Sequence, residues 1–432
     1  MEIPIETFRL ANGLLVTLSE DHTAPIVAVN VWYHVGSANE RPGRTGFAHL
    51  FEHMLFQGSA DVAANEHFEI VQRAGGTLNG STWLDRTNYF ETVPSHHFET
   101  ALWLEANRMG QLLPAMTQDK LNGQRDVVKN ERRWSVDNQP YGTWWERLPA
   151  LCFPPEHPFH HSLIGSMDDL TAATLDDVKH FFSTFYTPAN AVLSIAGDVE
   201  RGDARALVDR HFGGIPRGAT PPPLPDMTLP ATFGGWRREV VPDDGMLPRL
   251  MIAFRSPTFA SPTYYAAHVC AAIFGMRKGS RLHRNLIRDR QIASDAQAFT
   301  FDLSIGADLL VLDVTARQTV SAEMLEAEVA REVDQMVATG VSDAEVERAV
   351  ALIQTDYTRA MQSAGERADR LSQFATYFGD PGLVNRQLDR YRAVTAADVN
   401  GFVHERLGAD NRASLVFVPR GHRPGDDAHD GS

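Results

Sequence analysis

The 432-residue sequence predicts an α+β fold made of two related halves. Three observations predict this fold: a local pattern that recurs near the end of each half, a proline-rich segment between the halves, and a mixture of strand-like and helical periodicities in both. Apolar stretches at 26–34 and 309–315 predict strands, whereas 324–339 and 343–358 have the apolar spacing of amphipathic helices. We therefore expect each half to be a mostly antiparallel sheet backed by helices.

The recurring pattern is a helix start that is followed by an apolar strand. Thr174 and Thr395 are 221 positions apart, and Asn190 and Asn411 have the same separation. Each Thr is followed three positions later by an Asp, which is a variant of the capping box that begins a helix. Equal separations at several positions indicate that the two halves arose by duplication.

The repeat and the proline content together predict the domain boundaries. The N-terminal half is expected at 1–215 and the C-terminal half at 236–419. Residues 216–235 contain three consecutive prolines and are expected to form an extended linker. Residues 420–432 are rich in Gly, Asp and His, and they are expected to be a disordered tail.

Composition argues against several classes of function. The formal net charge is −15 and no basic run is present, which disfavours binding to nucleic acids and to anionic membranes. No apolar run reaches membrane-spanning length, and the first ten residues lack the pattern of a secretory signal. The chain has only two cysteines, Cys152 and Cys270, so we expect a reducing, cytoplasmic location.

His49, Glu52 and His53 lie within five residues of one predicted helix, 46–56. Successive helical residues turn by about 100°, so the three side chains share one face. Two imidazoles beside a carboxylate can form a catalytic zinc site, and the order His-x-x-Glu-His is the inverzincin signature. The alternative is a helix with ordinary surface histidines. It is disfavoured because the other faces of this helix are apolar, and buried polar groups need partners.

A catalytic zinc ion usually has three protein ligands, so a third ligand must come from elsewhere in the chain. The strongest candidate is Glu131, which lies 78 positions beyond His53 in a second predicted helix, 119–133. Taken alone, the local sequence favours the alternative that Glu131 is an exposed residue paired with Arg132 or Arg133.

The sequence resembles the pitrilysin-type zinc peptidases, in the branch that contains mitochondrial processing peptidase and its two-chain bacterial relatives. The resemblance extends over roughly residues 5–419. It implies that His49, His53 and Glu131 hold one Zn²⁺ and that Glu52 is the general base of peptide hydrolysis. It also implies that the two halves form one side of a clam-like chamber. The stretches that carry it are 36–37, 49–53, 79–82, 85–90, 125–133, 157–159, 164–165 and 185–190.

The resemblance also implies how substrate binds. In the family, the peptide adds as a strand beside the segment that here contains Asn79, Gly80, Ser81 and Thr82. Local sequence chemistry alone would instead favour a hairpin turn at the Asn-Gly pair. Gln124 occupies a position where some relatives have a carboxylate. Its amide oxygen could still accept an imidazole N–H and orient the ring, with an ordinary solvated helix residue as the alternative.

The C-terminal half has no second His-x-x-Glu-His. One-chain relatives carry an Arg and, seven residues later, a Tyr in this half, which hold the substrate carbonyl. Ile287 and Ser294 occupy these positions, and Arg288 lies beside the first. The resemblance therefore implies a heterodimer in which a related partner chain supplies the Arg and the Tyr, with a homodimer as the other arrangement.

Two further hypotheses stay open at the level of sequence. The chain could be a non-catalytic scaffold or binding subunit of the same family, although the complete set of site residues disfavours this. It could also hydrolyse another type of amide, or use another metal. Zinc content and a peptide cleavage assay distinguish these hypotheses from a zinc endopeptidase.

Overall fold

The computed structural model of the protein describes residues 2–420, so the predicted tail at 420–432 lies outside it except for its first residue. The described chain forms two compact units, and each unit is assembled from separate segments. Unit 1 contains 2–132, His161–Pro225 and Tyr357–Gln387, whereas unit 2 contains Arg133–His160, Asp226–Asp356 and 388–420.

The compact units cut across the domain boundaries expected from the sequence. Residues 133–160 belong to the predicted N-terminal half but to unit 2, and residues 357–387 belong to the predicted C-terminal half but to unit 1. The predicted linker, 216–235, has no helix or strand before Gly235 and contributes to both units. The boundaries predicted from the sequence describe the two repeated halves and stay a prediction. The compact units describe which segments of the chain pack together.

Both units contain strands and α-helices. The described residues also include two π-helical turns. The strands are β1 (Glu6–Arg9), β2 (Leu15–Glu20), β3 (Ile26–Tyr33), β4 (Thr77–Thr82), β5 (Thr87–Pro94), β6 (Ala191–Gly197), β7 (Gly235–Asp243), β8 (Arg249–Ser256), β9 (Ala293–Thr300), β10 (Asp308–Ala316) and β11 (Asn411–Pro419). The helices are α1 (Phe47–Met54), α2 (Glu66–Arg73), α3 (Phe98–Ala115), α4 (Gln118–Arg132), α5 (Trp144–Cys152), α6 (Met167–Ala172), α7 (Leu175–Phe185), α8 (Arg201–Phe212), α9 (Tyr264–Gly275), α10 (Ala322–Thr339), α11 (Asp343–Ala360), α12 (Ala364–Phe378), α13 (Gln387–Arg392) and α14 (Ala396–Arg406). The π-helical turns are Arg133–Asp137 and His283–Asp289.

Unit 1 has a six-stranded sheet with the strand order β1-β2-β6-β3-β5-β4. β2 and β6 are parallel, and the other neighbouring strands are antiparallel. Nearly every residue of β3 and β6 is buried, and because side chains of a strand alternate between faces, both faces of the sheet centre are covered. β4 is an edge strand, and this edge carries the candidate substrate residues.

Helix α12 completes unit 1, although it comes from the late part of the chain, and it packs on β3 and β6. Asp369 of this helix accepts hydrogen bonds from Trp32 Nε1 at 2.9 Å and from Asn30 Nδ2 at 3.2 Å. These partly buried hydrogen bonds to a carboxylate help to fix the helix on the sheet, because breaking them would leave polar groups without partners.

Unit 2 has a five-stranded sheet with the order β7-β11-β8-β10-β9. β7 and β11 are parallel, and the remaining pairs are antiparallel. Helix α5, from the early part of the chain, packs on β11 and β8. Arg237 Nη1 on β7 donates to the carbonyl oxygen of Leu151 in this helix at 2.9 Å.

The two sheets share one topology, since β7-β11-β8-β10-β9 repeats the order and the parallel pair of β2-β6-β3-β5-β4. α7 and α14 both begin after a Thr whose hydroxyl accepts the backbone N–H of an Asp three positions later. That distance is 3.1 Å for Thr174 and Asp177 and 3.2 Å for Thr395 and Asp398. The predicted α+β fold with two homologous halves is therefore confirmed.

None of the helices within residues 2–420 combines the length and the apolar character that crossing a membrane requires.

Candidate metal centre

Helix α1 positions the two histidines of the motif. Leu50, Phe51 and Met54 are buried and anchor the helix, which contacts α4 and β4. His49 and His53 are four residues apart, about one helical turn, and their ring centroids lie 4.8 Å apart. The helix predicted at 46–56 is therefore present, slightly shorter, with both imidazoles on one side.

Helix α4 brings Glu131 to these imidazoles. Glu131 Oε2 lies 3.2 Å from His53 Nε2, and Glu131 Oε1 lies 3.6 Å from His49 Nε2. The side chain of Glu131 is 40% exposed, so it is reachable from solvent but is directed at the motif helix. The structure thus places together the three residues that the sequence and the resemblance suggested, and their role as ligands stays a prediction.

The separations within this group fit a zinc ion. One donor atom from each of His49, His53 and Glu131 lies within 4.8 Å of the other two. In tetrahedral zinc sites with bonds of about 2.0–2.2 Å, the ligand atoms lie about 3.3–3.6 Å from one another. The two His–Glu separations, 3.2 and 3.6 Å, are close to that range. Three protein donors leave a fourth position for a water molecule or a substrate oxygen.

The electrostatics of the group also suit a metal. Burial, together with the neighbouring His53, lowers the pKa of His49 to about 4. The hydrogen bond from His53 lowers the pKa of Glu131 below its ordinary value. At neutral pH, His49 is therefore uncharged and Glu131 is ionised, and these are the forms that bind divalent metals.

Glu52 lies beside the three candidate ligands. Its Oε2 atom accepts a hydrogen bond from Thr82 Oγ1 of β4 at 2.6 Å. Burial raises the pKa of Glu52 above its ordinary value, which brings the carboxylate closer to the range useful to a general base near neutral pH. Thr82 holds one carboxylate oxygen in place, so the orientation of the group is fixed by β4.

A cavity of about 450 Å³ adjoins this carboxylate and is lined by Glu52, His53, Phe56, Asn79 and other side chains, among them Gln124. Within residues 2–420, no hydrogen bond joins the amide of Gln124 to either imidazole, and His49 Nδ1 has no hydrogen-bond partner. The predicted orienting role of Gln124 therefore stays a prediction, and its observed position is in the cavity wall.

The candidate substrate residues Asn79, Gly80, Ser81 and Thr82 all lie on β4. The hairpin turn considered for the Asn-Gly pair is wrong, since the segment is an extended strand that pairs with β5, with Gly80 opposite Tyr89. Because β4 is an edge strand, a further strand could pair with its open side. Substrate binding by these residues stays a prediction.

Sequence reasoning missed Glu40, which caps the motif helix. Its buried carboxylate accepts the backbone N–H of Gly46 at 2.8 Å and that of Ala48 at 2.7 Å. Gly46 precedes the helix and has no side chain to satisfy these first N–H groups, so Glu40 does so from a separate turn. Capping by a residue six positions before Gly46 leaves no local sequence signature, and this explains why it was missed.

In unit 2, Ile287 and Ser294 are the two positions aligned with the Arg and the Tyr of one-chain relatives. Ile287 lies in the π-helical turn His283–Asp289, and Ser294 lies on β9, where its hydroxyl donates to the carbonyl oxygen of Ala316 at 2.9 Å. Arg288 is exposed and pairs with its neighbour Asp289 at 2.7 Å. Neither aligned position therefore supplies a guanidinium or a phenol.

Comparison with known proteins establishes the family. The family model described as Insulinase (Peptidase family M16) matches residues 15–149, and the one described as Peptidase M16 inactive domain matches residues 172–353. The protein named zinc protease PqqE of Helicobacter pylori is 30% identical over 417 residues, which cover 96% of this chain and 92% of that protein. The chain belongs to peptidase family M16. The resemblance drawn from the sequence motifs is therefore confirmed.

Two further comparisons agree with this assignment. The crystal structure of a protease from Helicobacter pylori superposes with a TM-score of 0.90 and 27% identity, and it covers 96% of this chain and 100% of that one. The probable mitochondrial-processing peptidase subunit beta of Arabidopsis thaliana is 26% identical over 62% of this chain and 49% of that protein. All four candidate metal and base residues fall within the matched region 15–149.

Proposed function

We propose that this chain is a zinc-dependent endopeptidase that hydrolyses peptides or unfolded segments and binds one Zn²⁺. The observation that carries the proposal is the geometry of unit 1, where His49, His53 and Glu131 have the separations of a zinc ligand set and Glu52 stands beside them. The relatives that are named zinc proteases support the choice of metal and reaction class.

The chemistry of the chain's own residues follows from their positions. When bound, zinc lowers the pKa of a water molecule and polarises a carbonyl group. Glu52 takes a proton from the attacking water and later donates it to the leaving amine, because its carboxylate is held beside the ligands with a raised pKa. Thr82 donates to Oε2 of Glu52, which leaves Oε1 as the atom that receives the proton.

Substrate would lie along the open edge of β4. Pairing as an additional strand places a peptide bond beside Glu52, since Thr82 of this strand is already hydrogen-bonded to that carboxylate. The adjoining cavity, which has polar as well as apolar lining residues, would receive a side chain of the substrate.

A related partner chain would complete the enzyme. Ile287 and Ser294 cannot hold a substrate carbonyl as an Arg and a Tyr would, so this chain would supply zinc and base while the partner supplies these groups. The name of the Arabidopsis relative describes that protein as a subunit, which supports an assembly of more than one chain. A non-catalytic subunit is the second candidate function, favoured by the description of the C-terminal match as an inactive domain.

A cleavage assay with metal analysis tests the proposal. The purified full-length chain is expected to contain about one zinc ion and to cleave unstructured peptides internally, weakly alone and faster with a related chain that carries the Arg and the Tyr. Product masses identify the cleaved bonds. Bound zinc without cleavage, alone or with such a partner, would support the non-catalytic subunit instead, whereas full activity alone would contradict the heterodimer.

Replacing Gly80 by Ala should reduce activity without removing zinc. An added Cβ would lie 3.2 Å from the Cγ atom of Glu52 and equally close to the rings of Phe56 and Tyr89. Because catalysis depends on sub-ångström placement of the base, we expect kcat/KM to fall by about tenfold or more. The matched control is Gly202→Ala, since nothing lies within 4 Å of its added Cβ. Equal activity of the two variants would contradict the prediction.

A further inference from the structure

Unit 1 contains a group of four ionisable side chains that the proposed mechanism does not use. His67, Glu91, Glu105 and Arg108 are each at most 4% exposed, and we call them the buried network. His67 Nε2 lies 3.2 Å from Glu91 Oε2. Arg108 donates from Nε to Glu105 Oε2 at 3.3 Å and from Nη2 to Glu105 Oε1. Burying ionisable groups is costly unless they are paired with one another or neutralised by a proton.

The network is connected to the base through two aromatic rings. The guanidinium carbon of Arg108 lies 4.2 Å from the ring centroid of Tyr89 and 5.1 Å from that of Phe56. Both rings, together with Cγ of Glu52, lie 3.2 Å from the point where a Cβ on Gly80 would be. The rings of Phe56 and Tyr89 and the Cγ atom of Glu52 thus surround one point at Gly80 of β4, and Arg108 lies against both rings.

We propose that Arg108 is a positioning residue for Glu52. Glu105 holds the guanidinium, the guanidinium holds the rings of Phe56 and Tyr89, and the rings fix the side chain of Glu52 against β4. The inference rests on the proposed function, because it assigns a role to residues around the same base.

Arginine suits this role better than lysine. Its planar guanidinium can pair with a carboxylate through two nitrogens while its face lies on aromatic rings, and a lysine ammonium offers neither geometry. Glu105 uses both oxygens for Arg108, so the plane of the guanidinium is fixed relative to the rings. We therefore expect a change at Arg108 to displace the rings of Phe56 and Tyr89.

A second metal ion is the rival explanation, since His67, Glu91 and Glu105 offer donor atoms within 4.8 Å of one another. With a neutral imidazole, two carboxylates and one guanidinium leave one negative charge in excess. One proton neutralises this charge, whereas a divalent ion would leave one buried positive charge in excess beside Arg108. Burial raises the pKa of Glu91 to about 8 and, with Arg108, lowers that of His67 to about 3. These shifts favour a proton on Glu91, whose carboxyl would then donate to His67 Nε2 across the 3.2 Å contact.

The first experiment compares Arg108→Lys with Arg249→Lys. Each zinc-loaded variant is assayed together with the related partner chain that carries the Arg and the Tyr. Arg249 of unit 2 makes the same kinds of contact, pairing with Asp313 through two nitrogens and lying 5.3 Å from the ring centroid of Tyr141. We expect Arg108→Lys to lower kcat about tenfold with KM and zinc content unchanged, since a group needed only for the transition state acts on kcat. Arg249→Lys is expected to keep wild-type kcat.

A second variant tests the state of the network. Glu91→Gln reproduces the protonated carboxyl and can still donate to His67, so it should keep wild-type kcat and one zinc per chain. Two metal ions per wild-type chain, with one lost in Glu91→Gln, would establish the rival metal site and overturn the proposal.

The final readout does not depend on activity. A crystal structure of Arg108→Lys is expected to show displaced rings of Phe56 and Tyr89 and a lengthened bond between Thr82 Oγ1 and Glu52 Oε2, which is 2.6 Å in the native chain. Unmoved rings and an unchanged bond would overturn the inference, even if the variant were less active. If the wild-type protein cleaves no peptide, the proposed function fails, while this structural comparison still decides whether Arg108 positions Glu52.

Discussion

The Glu52→Gln protein is expected to retain its zinc and to lose peptide cleavage. Glutamine has the size of glutamate, and its amide oxygen can still accept the hydrogen bond from Thr82, so the local structure should persist. The amide cannot take a proton from water. Because general acid–base catalysis contributes roughly 10²–10⁴-fold, we expect kcat/KM to fall by about a thousandfold. Peptide cleavage and zinc content are measured on the same preparation.

The control for this prediction is Glu69→Gln, which makes the same chemical change on the solvent-exposed face of helix α2. The carboxylate of Glu69 pairs with Arg73 at 3.0 Å on the surface, and exposed pairs of this kind contribute little to stability. We expect this variant to match the wild type in zinc content and in kcat/KM. Near wild-type turnover by Glu52→Gln would remove Glu52 from the mechanism, whereas loss of zinc would indicate that it acts as a ligand.

The parts of the fold that depend on local chain geometry could be predicted from the sequence. The helical repeat places His49 and His53 on one face because the backbone dictates it, and the structure shows their rings 4.8 Å apart. The caps at Thr174 and Thr395 involve residues three positions apart, so the sequence contains the whole interaction. In both cases the partners are neighbours in the chain.

The parts that depend on distant partners could not be predicted in this way. A separation of 78 positions does not encode the contact between Glu131 and His53, and only the family resemblance suggested it. Helix α5 comes from the N-terminal half of the sequence but packs in unit 2, and α12 comes from the C-terminal half but packs in unit 1. No local sequence pattern predicts this, because a helix is amphipathic in whichever unit it packs. Glu91 and Arg108 would ordinarily be expected at the surface, and burial becomes tolerable only through partners elsewhere in the chain.

The Glu131→Gln protein is expected to lose zinc and activity together. Removing the charge of this candidate ligand leaves two imidazoles, which hold a divalent cation less well than a set that includes a carboxylate. Zinc content after dialysis should fall well below one ion per chain, and added zinc should not restore cleavage. In the wild type, by contrast, a chelator should remove both zinc and activity, and added zinc should restore them. Wild-type zinc content in Glu131→Gln would show that the third ligand lies elsewhere.

Gln124→Ala provides the matched comparison on the same helix, α4. Groups that orient metal ligands typically change metal affinity by about 10–100-fold when removed. Because Gln124 lines the cavity without a hydrogen bond to either imidazole among the described residues, we expect a smaller loss, with zinc content unchanged and KM raised. A loss of affinity as large as that of an orienting group would instead support the role that the sequence suggested. Glu131→Gln and Gln124→Ala therefore distinguish a residue that binds the metal from one that only lines the adjacent cavity. Without this comparison, two residues on the same face of α4 could be assigned the same role.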